Sequence, residues 1–234
     1  MAKINFKKGL TDIVLYIIIF IVVQIFLTYA GAGIWAAVKG EGYQATLLAM
    51  DTGNNAILKA LTTVFSNVIT LIIFLKAKWT PITRNYLQSK PWISLLWVAL
   101  FTLGAIIPLE FVYEQIGVEM DADTERVFAS LMKEPWGYVA IGILAPLAEE
   151  IVFRGAILRT LLDMVSKKNH WVAIFISAAV FGLIHGNKAQ FINALLMGLL
   201  LGWMYYRTKS LVPGILMHWV NNTMAYVLNN LMPQ

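Results

Sequence analysis

The sequence predicts an all-α fold: a polytopic membrane helical bundle of about seven transmembrane helices. Three observations carry that prediction. The 234 residues are 59% hydrophobic and only 13% charged, whereas a soluble domain averages about a quarter charged. The mean hydropathy is strongly positive. Apolar runs near the roughly 20 residues that cross a bilayer recur along the whole chain. Cysteine is absent, which removes disulfides, iron–sulfur clusters and thiolate zinc sites. The net charge of +5 comes from Lys and Arg gathered in short segments between apolar runs. That is the pattern of membrane topology, and no nucleic-acid partner is expected from it.

Taken in order, the spans fall at about 13–37, 56–76, 92–112, 136–158, 171–187, 189–206 and 211–231. The first run exceeds the apolar core of a signal peptide, so it reads as a retained helix. Basic residues then set the orientation. Lys3, Lys7 and Lys8 precede span one; Lys76, Lys78, Arg84 and Lys90 follow span two. Lys167 and Lys168 follow span four, and Arg207 and Lys209 follow span six. With seven spans all four segments share one side, giving an N-in, C-out chain whose N-terminus is cytoplasmic. The short basic loops suit a bacterial inner (cell) membrane.

The connector from Tyr113 to Pro135 is long and acidic, with a helical pattern in its second half. It reads either as a solvated connector or as a helix starting at Thr124 that lays Val127, Phe128 and Leu131 on the membrane surface. Glu110 and Glu114 end span three and read as interfacial. Gln24, Thr63 and Asn67 are lone polar groups of the kind that hydrogen-bond a neighbouring helix. His170, in "KKNHW", reads as a headgroup-level residue, and the eight tryptophans fit interfacial belts.

From span four onward ionisable groups enter the apolar runs: Glu149, Glu150 and Arg154, then His185, then His218 with Asn221 and Asn222. Charge in hydrocarbon is costly, so such groups point to function when a partner can be named. Helical spacing names several. Glu150 and Arg154 stand four apart in the favourable order for an ion pair. Glu149 lies about 100° further round an α-helix, free to face elsewhere. Phe181 with His185, and His218 with Asn222, are also four apart. A carboxylate and a histidine can hold a water and take its proton as it attacks a carbonyl. A second histidine and an asparagine can donate to the oxyanion that forms. Glu149, His185 and His218 can equally serve as zinc ligands with a fourth position for water. The H-E-x-x-H helix of soluble zinc peptidases is absent. A buried ion-pair network that only fixes packing explains Glu150 and Arg154, but not two histidines and an asparagine as well.

In order, "EEIVFR", "FGLIH" and "HWVNN" resemble the motifs of the CPBP (Abi) family of intramembrane proteases, which includes the eukaryotic type II CAAX prenyl endopeptidases. The resemblance covers about residues 135–232 and extends to the small residues and basic turn between the last two motifs. It implies two parts: N-terminal transmembrane helices, about three, with the acidic loop over 1–134, and a four-helix catalytic core over 135–232. Carried onto this chain, it implies that Glu149 and His185 position and activate water and that His218 and Asn222 stabilise the oxyanion. Glu150 and Arg154 support the site, Glu150 sharing in catalysis, and Phe181 packs beside His185. The implied activity is an endopeptidase acting on a membrane-associated peptide or protein, with no cofactor required, or zinc in the metal-dependent version. Two other readings stay open: a non-proteolytic protein of the same fold in bacteriocin self-immunity or scaffolding, and a proton-coupled carrier. The carrier ranks last, because no matched pair of broken helices marks two halves. Oligomeric state and natural substrate are not written in the sequence.

Overall fold

A computed structural model describes residues 5–82, 92–117 and 121–231, without the side chains of Glu110 and Glu114. Lys3, Arg84 and Lys90 of the basic segments, and the interfacial placing of Glu110 and Glu114, lie outside the described residues. Among those residues there are nine helices and no strand, an all-α membrane bundle. They are α1 (Phe6–Lys39), α2 (Tyr43–Asp51), α3 (Ala56–Lys76), α4 (Ile93–Ile116), α5 (Ala122–Lys133), α6, α7 (His170–Leu183), α8 (Lys188–Thr208) and α9 (Val212–Leu231). The sixth, α6, runs unbroken from Pro135 to Met164 and changes register on the way. It is π-helical over Tyr138–Leu144 and Glu150–Leu158 and α-helical between and beyond.

Asparagine side chains start three of the long helices, accepting from free first-turn N–H groups: Asn5 from Lys7, Asn55 from Leu58 and Asn187 from Gln190. The acidic connector does hold a helix, α5, but Asp121 caps it; Thr124 lies inside and donates both its N–H and its hydroxyl to Asp121. The apolar face of α5 turns inward. Leu131 and Met132 are buried, and Asn230 of α9 donates to the Met132 carbonyl.

The expected seven spans are not reached by length and apolarity. Among the described residues four helices qualify: α1, α3, α4 and α8. At 14 residues, α7 rises about 21 Å against a hydrocarbon core of about 30 Å. It ends at Leu183, not near 187 as the hydropathy suggests. The other two shortfalls have different causes. In α6 the two π-helical stretches divide the helix into short segments, none long enough to span by itself, while in α9 His218, Asn221, Asn222, Asn229 and Asn230 dilute the apolar signal that identifies a span.

Close packing uses glycines. In α8, Gly198 and Gly202 form a G-x-x-x-G edge against α7. A Cβ on Gly198 would stand 2.9 Å from the Cβ of Ala178, and one on Gly202 would stand 2.9 Å from Cγ2 of Ile174. The core between α1, α3, α6 and α7 is aromatic, with Phe20 edge-on to Phe153 at 5.8 Å and Phe153 tilted against Phe181 at 4.9 Å.

The four basic segments meet at one end of the bundle. Gly9 of α1 packs against Met164, Arg159 donates to the Trp79 carbonyl, His170 stacks on Tyr206, and Asp163 acts on Lys209. Burial pushes the Lys209 amine below its ordinary value, and Asp163 opposes the shift.

Candidate active site

Glu149 ends the α-helical stretch of α6, and Glu150 opens the π-helical one that follows. This change of register sets the two neighbours in unlike surroundings. Glu150 is sealed, with Arg154 Nη1 2.9 Å from its Oε1 and both side chains about 1% exposed. Arg154 also donates from Nη2 to the Gly198 carbonyl of α8 and lies with Cζ 4.7 Å over the Phe181 ring. Glu149 is 16% exposed and has no cation of this kind.

His218 joins the two carboxylates. Its Nδ1 lies 3.3 Å from Glu150 Oε1 and its Nε2 lies 3.5 Å from Glu149 Oε2. An ionised carboxylate only accepts, so the Nδ1 that faces the Arg154-paired Glu150 carries the proton and donates. The first turn of α9 presses on the same carboxylate. A Cβ on Gly214 would stand 2.9 Å from Glu150 Oε2, and the positive end of a helix dipole favours an anion there.

His185 lies just past the end of α7, in the turn to α8, where Gly186 takes the left-handed conformation. Its Nδ1 is 2.8 Å from the Phe181 carbonyl, and its ring meets the Phe181 ring edge-on at 5.0 Å. Phe181 also faces His218, with ring centres 6.0 Å apart. One aromatic ring therefore holds Arg154, His185 and His218 around it. His185 is half-buried in that turn.

Asn222 donates from Nδ2 to the Ile141 carbonyl at 2.9 Å, and Asn221 donates to Asn222 Oδ1. The local cause lies in α6. In a π-helical register residue 141 would accept from residue 146, but residue 146 is proline and has no N–H. The N–H of Ala145 goes to Ala140 instead. Asn222 supplies the donor that hydrocarbon cannot. At the neighbouring residue Asn67 of α3 donates to the Ala140 carbonyl and accepts from Gln24 of α1. Gln24 and Asn67 thus bond neighbouring helices as expected, whereas Thr63 bonds Lys59 within its own.

Glu150, Arg154, Phe181 and His218 thus form one contact group, which Glu149 joins through His218 and His185 through Phe181, and Asn222 stands one turn along α9. Sequence reasoning did not single out Gly214, Pro146 or Gly198. The G-x-x-x-G spacing marked the last; Pro146 acts through the π-register of α6 and Gly214 through its contact with Glu150 on a distant helix, for which the sequence carries no signal. Among the described residues no group of three or more histidine, aspartate or glutamate side chains stands together as a metal-binding set.

The same segment is where this chain matches known proteins. Residues 131–224 match the family model described as "Type II CAAX prenyl endopeptidase Rce1-like". The chain carries an Rce1-like region. That region holds every residue of the site, from α5 to the middle of α9. A Bacillus subtilis protein named "Putative membrane peptidase YdiL" is 26% identical over 126 residues, which cover 51% of this chain and 50% of that protein. The chain therefore spans about half the length of this curated relative. No solved structure matches it.

Proposed function

We propose that the chain is an intramembrane endopeptidase that hydrolyses a peptide bond of a membrane-associated peptide or protein. The observation that carries this reading is the unlike setting of the two adjacent carboxylates: Glu150 is sealed in an ion pair with Arg154, and Glu149 is more exposed and faces the His218 imidazole. Paired acids held in different environments are the usual arrangement for dividing acid–base work. The Rce1-like region and the peptidase named among its relatives support the same reaction class.

In this mechanism Glu149 takes the proton of a water that attacks the scissile carbonyl. His185, turned by its bond to the Phe181 carbonyl, holds that water on its Nε2 side. Asn222 has two amide N–H groups. One is held by Ile141, and this aims the other at the oxyanion. His218 donates to the oxyanion from Nε2. It must then be an imidazolium, which makes the group of two carboxylates, guanidinium and imidazolium neutral and so less costly to bury. Glu150, Arg154 and Phe181 position these groups. Glu149 would do this without a metal ion, and the chain would lie in a cell membrane with its N-terminus cytoplasmic.

The test is purified protein, with Glu149→Gln and His185→Ala beside it, assayed on a membrane-peptide library. Removing the base should cost at least about a hundredfold in rate, and cleavage unchanged in both variants would sink the proposal. Wild-type activity should survive exhaustive chelation. Loss on chelation, restored by zinc, would replace the metal-free version with the metal-dependent one.

A further inference from the structure

The sequence carries no aspartate or glutamate after Asp163, so α7, α8, α9 and the turns between them hold no carboxylate side chain. They do hold cations. Lys167 and Lys168 stand in the α6–α7 turn, Arg207 and Lys209 flank the end of α8, and all four are exposed. Among the described residues none of the four is ion-paired, and Asp163 acts on Lys209 only at longer range.

One aromatic ring ties the two turns together. The His170 ring lies flat on Tyr206, with centres 4.1 Å apart and planes 6° from parallel. The Lys209 amine stands 4.2 Å from the centre of the same ring. Two groups that close cannot share one face, so Tyr206 is held between a stacked imidazole and a cation. His170 is fixed in turn, its Nδ1 donating to the Lys167 carbonyl at 2.9 Å. This brace brings the Lys167–Lys168 turn beside the Arg207–Lys209 turn. Holding like charges together costs free energy unless an anion joins them.

The surface next to these turns suits lipid. Trp171, Val172 and Phe175 are exposed along one stripe of α7, and Trp203 is exposed on α8 one turn before Arg207. Tryptophans at this level mark the headgroup region.

We propose that Lys167, Lys168, Arg207 and Lys209, braced by the His170–Tyr206–Lys209 stack, seat the phosphate of an anionic phospholipid whose acyl chains lie along the Trp171–Phe175 stripe of α7. The seat is separate from the catalytic cluster and does not depend on the endopeptidase reading. Basic pockets between membrane helices at headgroup level bind such lipids, and charge-assisted hydrogen bonds to phosphate are the strong ones. Because the brace fixes the two turns in advance, less freedom is lost on binding.

The chain has no cysteine, so Ser166→Cys, exposed beside Lys167, carries a single fluorophore. The full chain labelled there is placed in phosphatidylcholine bilayers holding a minority of spin-labelled phosphatidylglycerol or spin-labelled phosphatidylcholine. Quenching then reads which lipid occupies the seat. Phosphatidylglycerol should be favoured at least about fivefold, the worth of one cation at an anionic surface. Lys167→Gln, Lys168→Gln and Arg207→Gln together should bring the two lipids to parity, with the thermal midpoint in neutral detergent unchanged. Lys7→Gln with Lys8→Gln, at the same end of the bundle on α1, should leave the preference as it is. Parity in the native background overturns the seat, and an equal fall in the α1 variant overturns it in favour of the net charge of that end. Tyr206→Leu keeps all four cations and should still lower the preference; a preference kept in full overturns the brace. Soluble glycerol phosphate in large excess should displace the lipid no better than sodium chloride at the same ionic strength. Displacement beyond that would make the seat a site for free phosphate and overturn the lipid as its occupant.

Discussion

Gly214 brings the backbone of α9 against the Glu150 carboxylate, so close that a Cβ at this position would stand 2.9 Å from Oε2. The carboxylate is fixed by Arg154 on one side and His218 on the other and cannot swing aside. Gly214→Ala should therefore push α9 outward and carry His218 away from Glu149. The strain of overpacking is about 1–3 kcal/mol, readable as a fall in thermal midpoint in detergent. Catalysis should fall further than stability does. A variant that keeps full turnover would show that the spacing of His218 from Glu149 is not critical.

The Glu150–Arg154 pair predicts a non-additive pair of variants. Removing one partner strands a buried charge, at a cost of about 3–5 kcal/mol. Arg154→Met alone and Glu150→Gln alone should each destabilise strongly, and the double variant should be more stable than the sum of the two. Arg154→Lys should rescue little. A lysine carries the charge but cannot both reach the Gly198 carbonyl and stack flat on Phe181, as the guanidinium does. Urea-shift or thermal unfolding of all four proteins checks this, and simple additivity would contradict a coupled pair.

The local part of this site was legible in the sequence, and the long-range part was not. Glu150 and Arg154, four residues apart, pair as their spacing suggests, and Phe181 does lie on His185. Periodicity carries such information because neighbours on one helix face are fixed by the helix itself. It carries none about His218 reaching across 68 residues to Glu150, nor about the π-registers of α6. The helix of the acidic connector was legible, but its cap was misplaced by three residues, because Asp121 and Thr124 are both good caps and only the backbone decides between them. The count of seven spans is not confirmed, because α7 is short, α6 is divided into π- and α-helical segments and polar residues interrupt α9.

The Asp121 cap gives a pH prediction for α5. Hydrogen bonds from the Thr124 backbone N–H, and then from its hydroxyl, hold the Asp121 carboxyl below its ordinary value of 3.8. A carboxyl lowered by folding contributes stability that is present above the unfolded value and lost as pH falls through the folded one. The protection of α5 amides, taken as their exchange relative to an unstructured peptide at the same pH, should therefore be high at neutral pH and fall as the pH drops below 3.8. Asp121→Asn keeps a good cap without an ionisable group, so its α5 protection should lose that pH dependence. A variant that still follows the wild-type profile would assign the effect to another acid.

Pro146 and Asn222 form the last testable pair, and they separate the structural duty of Asn222 from its proposed catalytic one. Proline at residue 146 leaves the Ile141 carbonyl without a helical donor, and Asn222 fills the gap. In the native background Asn222→Ala should cost about 1–3 kcal/mol, because a buried acceptor is left unpaired. Pro146→Ala restores an N–H to the register, so in that background the same Asn222→Ala change should cost clearly less. Activity should behave differently. If the second amide N–H of Asn222 meets the oxyanion, its loss removes turnover in both backgrounds, whatever happens to stability. Thermal unfolding and cleavage rates on the four proteins of this cycle give both readouts. Activity restored by Pro146→Ala in the absence of Asn222 would reduce that residue to a cap for one carbonyl and leave His218 as the oxyanion donor.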